Sequence, residues 1–225
     1  MNNRQFLAEM TGTFAIVFCG TGAVIVNTAT AGMLSHAGVA MTWGLIVMTM
    51  IYTFGERSGA HFNPAVSIAL VAAQKLPARS LCWYILSQCA GALMASALLR
   101  ILFPGDVSLG TTAPAGTAQQ SFLLEVCLSF LLMLVILHLS TASKETGLFS
   151  GVIVGGVVGL EAMFAGPVCG ASMNPARSLA PALISGQTVY LWLYVLAPVT
   201  GMLLAVPVHR HVSNSCVRSA AGSAR

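Results

Sequence analysis

The sequence predicts an all-α membrane protein of six transmembrane helices and two re-entrant half-helices, built as an inverted repeat. Three observations carry that prediction. The 225-residue chain is 56% hydrophobic and 7% charged, far below the ~25% charged residues usual in soluble domains, so its main solvent is lipid. The tripeptide Asn-Pro-Ala occurs twice, as Asn63-Pro64-Ala65 and Asn174-Pro175-Ala176, each near the end of its own half. The halves match elsewhere too: Phe6-Leu7-Ala8-Glu9 pairs with Phe122-Leu123-Leu124-Glu125, and the segment from Gly59 to Val66 pairs with that from Gly170 to Arg177. Three spans separate equivalent points, and an odd number of crossings inverts the second copy relative to the first.

The first long apolar run, 6–26, follows Arg4 and precedes Ala29-Thr30-Ala31, as a secretory leader would. It is read as a span instead, because it is long enough to cross, contains Glu9 and recurs in pattern at the fourth run. The second run is 39–54. Asn63 then suits a helix N-cap, where its side-chain oxygen accepts from a free backbone N–H, and Pro64 suits the next position, which needs no N–H. The apolar stretch after it ends near residue 73, a rise of ~15 Å against a hydrocarbon core of ~30 Å, so it cannot span. The third run is 80–103, followed by a small, polar loop to residue 118. The fourth and fifth runs are 121–139 and 148–165. Asn174 and Pro175 open a second short helix to about residue 184, and 189–208 is the sixth run. Together these make one transmembrane domain over 1–225, with repeats at about 1–105 and 119–212 and a short tail at 213–225.

Basic residues set the orientation. With the N-terminus inside, Arg4, Arg57, Lys75, Arg79, Lys144, Arg210, Arg218 and Arg225 all fall on the cytoplasmic side, and Arg100 and Arg177 do not. The net charge of +4 is therefore a topology signal. No basic stretch carries interleaved aromatics, which argues against a nucleic-acid partner.

A half-helix that ends at mid-membrane leaves backbone polar groups that must line a cavity or be buried in protein, so the repeated tripeptide implies a pore. Asn63 and Asn174 would each present a side-chain N–H to the lumen, where two helix N-termini also direct positive partial charge. Cations and protons are disfavoured there. A neutral hydroxylated solute can donate to carbonyls of Gly59, Ala60 and His61 on the cytoplasmic side and of Gly170, Ala171 and Ser172 on the outer side. Glu9 and Glu125, one per repeat, are expected to accept from backbone N–H groups of these loops; proton relay is the competing role. Arg177 breaks the repeat, since its partner is Val66. It keeps its charge at physiological pH and offers five donors.

The residues resemble the aquaporins, or major intrinsic proteins, along essentially the whole chain. The matching segments are Ala8 to Phe14, Ser58 to Val66, Gln88, and Gly170 to Ser178. The resemblance implies a six-span bundle assembled as a homotetramer with a pore in each subunit, a multi-pass protein of the cell membrane with both termini cytoplasmic. It implies a channel, not an enzyme, with no cofactor or metal. Aligned without gaps, the family's aromatic/arginine filter falls on Trp43, Ala162, Ala171 and Arg177. That set is similar to the nodulin-26-like subgroup, which implies passage of water, glycerol and uncharged metalloid acids such as arsenite. Tyr194-Val195 before Pro198 lacks the Trp of water-specific members, whereas Ser178 and Ala182 resemble those members; a water-selective channel is therefore the alternative.

Glu161 departs from the family pattern. It faces the outer loop or vestibule, pairs with Arg177, or marks a register shifted by one, which would place a carboxylate in the filter. Of six cysteines, Cys19, Cys82, Cys89, Cys127 and Cys216 read as small buried hydrophobes, while Cys169 is placed to react with mercurials or a trivalent metalloid. His61 would line the pore, His36 and His138 sit at span ends, and His209 and His211 would meet lipid headgroups. A junctional or scaffold protein on the same fold would need an adhesive loop or long tail, and an ion-coupled carrier would want paired carboxylates at the midplane. Glu9 and Glu125 instead occupy corresponding positions in the repeats.

Overall fold

The structure, a computed structural model, describes the backbone of residues 1–222 and the side chains of residues 1–213. The side chains of Cys216 and Arg218, and the whole of Arg225, lie outside the described residues. The helices are α1 (Asn3–Ala29), α2 (Ser35–Ser58), α3 (Pro64–Ala72), α4 (Leu81–Leu102), α5 (Ala118–Leu139), α6 (Lys144–Gly147), α7 (Ser150–Cys169), α8 (Pro175–Ser185) and α9 (Leu191–Gly222). Six of them, α1, α2, α4, α5, α7 and α9, are long and apolar enough to cross a membrane. The expected spans are all present. Several boundaries differ: α2 extends four residues beyond the expected run at each end, α9 continues to Gly222, α7 runs past Pro167 to Cys169, since a proline can sit in a membrane helix whose freed carbonyl finds another partner, and a single turn, α6, stands before it.

The half-helices α3 and α8 have 9 and 11 residues, lengths of roughly 14–17 Å, half a hydrocarbon core. Asn63 caps α3 by accepting from the N–H of Ala65, and Asn174 caps α8 by accepting from Ala176 and Arg177. Before each cap the chain must turn back from a full span. Gly59 (φ 87°) and Gly170 (φ 86°) end α2 and α7 in the left-handed region, followed by Ala60 and Phe62 in one repeat and Ala171 and Met173 in the other, all with positive φ. Such backbone persists only where surrounding bonds hold it.

α1 packs on α4, α5 on α9, and α2 on α7. The two repeat-related crossings use the same device: a side chain at Gly91 would strike the carbonyl of Met10, and one at Gly201 the carbonyl of Val126. Small residues of this kind let membrane helices approach closely where no hydrophobic effect drives them together. Large apolar side chains such as Leu45, Leu86, Leu131 and Leu204 point outward, and the fully buried set includes Glu9, Thr13, Gln88 and Glu125. That inversion of a soluble protein's arrangement brings the polar groups to the centre, where the half-helices meet.

Candidate functional site

The loops before α3 and α8 are held by matching side chains from the two repeats. Glu9 accepts through Oε1 from the N–H of His61 (3.0 Å) and the hydroxyl of Ser58 (2.6 Å), and through Oε2 from the N–H of Phe62 (2.7 Å) and Nε2 of Gln88 (2.8 Å). Glu125 accepts from the N–H groups of Ser172 (2.7 Å) and Met173 (2.9 Å). These are the residues equivalent to His61 and Phe62. The Tyr84 hydroxyl donates to the carbonyl of Ser58 (2.6 Å), and the Tyr194 hydroxyl to that of Cys169 (2.7 Å), the residues just before the two left-handed glycines. Neither tyrosine was singled out as a support from the sequence, although they stand at nearly matching places, 25 residues after Gly59 and 24 after Gly170.

The asparagines bind differently from the simple expectation. Each spends one side-chain N–H across the midplane: Asn63 Nδ2 donates to the carbonyl of Met173 (2.7 Å), and Asn174 Nδ2 to that of Phe62 (2.9 Å). Each Oδ1 caps its own helix, so one N–H per asparagine remains for the cavity that both line. The half-helices are thereby tied to each other end to end, and the two asparagine amides with the carbonyls of Phe62 and Met173 fix the spacing of the pore waist.

An inner cavity, on the side where α2 and α5 end and α7 begins, runs past Gly59, Ala60, His61, Asn63, Ser172 and Asn174. An outer cavity is lined by Thr28, His36, Gly110, Thr111, Thr112, Ala162 and Gly170, among others. Trp43 and Arg177 line both, so the two cavities abut at this pair. The guanidinium carbon of Arg177 sits 4.8 Å from the Trp43 ring centroid, a cation–π contact, and Arg177 Nη1 donates to the carbonyl of Gly110 (3.4 Å). Arg177 itself is only 5% exposed, which fixes its donors at one height in the pore. His61 lines the inner cavity with Nδ1 on Ser67 Oγ (3.0 Å) and its ring stacked on Tyr84.

Several expectations need correction. Ala162 lines the outer cavity, and Ala171 lies between Gly170, on the outer cavity, and Ser172, on the inner one, buried among core residues. Glu161 takes none of its three expected positions. It lines neither cavity, it is buried with no hydrogen-bond partner for either oxygen, and it lies in the field of Glu125 instead of against Arg177. Cys169 is fully buried at the end of α7, its thiol donating to the carbonyl of Ala165 (3.5 Å), so it is closed to mercurials. Cys82 and Cys127 are exposed on the outer faces of their helices, not buried. His209 is buried too, edge-on to His138 with ring centroids 4.6 Å apart, and so does not meet headgroups. His36 is tied by Nε2 to the carbonyl of Met163 (2.6 Å) at the outer cavity.

Six spans around two opposed half-helices, with a cavity on each side of a fixed guanidinium, define a passive membrane channel. The chain belongs to the major intrinsic protein family, whose description, Major intrinsic protein, matches residues 1–209. It is 44% identical to Aquaporin NIP1-1 of Zea mays over 199 residues, covering 88% of this chain and 71% of that protein. It is 39% identical to Nodulin-26 of Glycine max over 210 residues, covering 93% and 78%. Among solved structures it resembles the X-ray structure of the aquaglyceroporin from Plasmodium falciparum, with a TM-score of 0.81 and 27% identity over 91% of this chain and 93% of that one. The nodulin-26-like resemblance read from four filter positions thus extends over most of the chain.

Proposed function

We propose that this channel passes water, glycerol and neutral metalloid hydroxides such as arsenite, and excludes ions and protons. The observation that carries the reading is the junction of the two cavities at Trp43 and Arg177, with only Ala162 added on the outer side. One wall is a flat apolar ring suited to carbon or a soft metalloid atom. Beside that ring, and in contact with it, the Arg177 guanidinium supplies fixed donors suited to hydroxyls, and the methyl group of Ala162 leaves the remaining side open. Arg177 and the two half-helix N-termini, which direct positive partial charge at the waist, oppose cations. Asn63-Pro64-Ala65 and Asn174-Pro175-Ala176 form the waist in this reading, Trp43, Ala162, Ala171 and Arg177 the filter, and carbonyls of Gly59, Ala60, His61, Gly170 and Ser172 the acceptor track. The protein works as a homotetramer in the cell membrane, as one domain with both termini cytoplasmic.

Stopped-flow light scattering of proteoliposomes carrying an internal pH dye tests the reading. Water and glycerol should equilibrate rapidly with no proton entry, and proton flux at rates comparable to water would overturn it. Cells expressing the protein should accumulate arsenite down its gradient, in either direction, and Arg177 or Trp43 substitutions should change that uptake. Unchanged arsenite accumulation with free glycerol entry would remove metalloids from the solute range and keep glycerol.

A further inference from the structure

We propose that Thr112 is a positioning residue for the outer pore loop and, through it, a determinant of how the channel discriminates polyols from water; this deepens the channel reading above and rests on it. The starting point is a break in the repeat. Tyr84 and Tyr194 bond equivalent carbonyls and so set α4 and α9 in the same register on their loops. One helical turn further on, α4 carries Gln88, but α9 carries Pro198.

In the first repeat Gln88 Nε2 donates to Ser67 Oγ (3.0 Å), and the Ser67 hydroxyl donates to the carbonyl of the cap residue Asn63 (3.2 Å). Ser178 stands at the equivalent place on α8, but Pro198 has no donor to offer it. The donor comes from outside the repeat: the hydroxyl of Thr112, in the loop between α4 and α5, lies 2.8 Å from Ser178 Oγ. Ser178 lies 2.5 Å from Ser172 Oγ, and the Ser172 hydroxyl donates to the carbonyl of Asn174 (3.1 Å). Because the Ser172 proton is committed to Asn174, the relay runs one way, from Thr112 to Ser178 to Ser172 to the cap of α8.

Thr112 is itself held in place. Asp106 Oδ1 accepts from the N–H groups of Ser108 (2.9 Å) and Leu109 (2.7 Å), Leu109 is fully buried against Ile25 and Leu99, and Gly110 turns at φ 63° close against Thr21. The same turn lays the carbonyl of Gly110 on Arg177. The loop therefore grips the outer half of the pore at two points, by a carbonyl on the guanidinium and by a hydroxyl on the serine pair. A polyol must make several hydrogen bonds at once along Arg177 and the outer carbonyls, so it depends on their alignment far more than a water molecule does.

The test compares Thr112→Val, which keeps the shape and removes the donor, with Thr112→Ser, which keeps the donor, in proteoliposomes of the full-length protein. Thr112→Val should lower glycerol permeability about three- to tenfold, the effect of losing one buried neutral hydrogen bond, with water permeability held within about twofold. Thr112→Ser should keep the wild-type ratio. A wild-type ratio in Thr112→Val overturns the proposal. So does an equal shift in both variants, since Thr112→Ser keeps the donor and the effect would then not follow the hydroxyl, and so does joint loss of water and glycerol flux, which would make Thr112 a prop with no part in discrimination. A wild-type protein that passes neither solute marks failure of the channel reading, a separate result.

Discussion

Glu9 gathers four donors in the first repeat, two from the loop backbone and one each from Ser58 and Gln88, whereas Glu125 at the equivalent place takes two, both from the loop backbone. Apart from the Asn174 tie to Phe62, the inner loop is supported by spans of its own repeat. The outer loop, which leads into α8 and Arg177, lacks the glutamine and draws on the 104–118 connection, a segment with no counterpart in the inner half. The asymmetry extends to the cavity walls. The repeat positions of Trp43, Ala162 and Arg177 are Val154, Ile51 and Val66, all apolar and all on the inner cavity. Duplication thus supplied two similar waist elements, and divergence placed solute discrimination at one end only, beside the loop that could hold it.

The largest effect expected from this difference concerns the two carboxylates. Glu9→Ala and Glu125→Ala each leave two buried backbone N–H groups without an acceptor, at about 1–3 kcal/mol per group. Glu9→Ala also strands Gln88 and Ser58, so it should lower the thermal midpoint in detergent further and sharply reduce the yield of monodisperse protein. Equal losses in the two variants would break the comparison, for then the extra donors on Glu9 would be adding nothing.

How much of this could be read from the sequence follows from which contacts are local or repeated. Asn63-Pro64 and Asn174-Pro175 were legible because capping is a property of adjacent residues, and Glu9 and Glu125 because a carboxylate in an apolar run demands a partner. Trp43 and Ala162 were placed by resemblance alone, whereas Arg177 also stood out as the position where the repeats differ. The turn at Ala171 was not legible, because the loop turns over in one residue, with Gly170 and Ser172 on different cavities, and no periodicity describes a run of left-handed backbone. Gly110 and Thr112 were missed because their pairing with Arg177 and Ser178 spans more than sixty residues and has no copy in the other repeat. Glu161 was visible as an anomaly, but which face of α7 it occupies depends on packing against α5.

An intermediate effect should sharpen the account of the outer end. Ala162→His puts an imidazole into the open side of the junction between Trp43 and Arg177, and pore diameter is one of the quantities that sets which neutral solutes pass. Glycerol permeability should fall about tenfold or more while water falls less than about threefold, read by swelling of proteoliposomes in parallel gradients. Equal falls for both solutes would move Ala162 out of the constriction and leave the Trp43–Arg177 pair as its whole width.

The smallest effect is the most direct check on what the repeats still share. Tyr84→Phe and Tyr194→Phe each delete one hydroxyl and keep the ring, and each frees the carbonyl before a left-handed glycine, at Ser58 or at Cys169. Both tyrosines are almost fully buried, so no solvent replaces the lost donor in either place. A neutral hydrogen bond of this kind contributes about 1 kcal/mol, and because the two bonds differ little in length and occupy matching positions, the two variants should lose the same stability in thermal unfolding. They should part company in transport. The inner loop keeps Gln88 and Ser58 on Glu9 after the change, so Tyr84→Phe should leave the glycerol-to-water ratio where it was. The outer loop has only Glu125 and the serine relay in reserve, so Tyr194→Phe should shift that ratio by about twofold. Equal stability losses with unequal selectivity would locate the difference between the halves in what surrounds the shared bond, and a selectivity shift from Tyr84→Phe as large as that from Tyr194→Phe would remove the distinction between a supporting loop and a discriminating one.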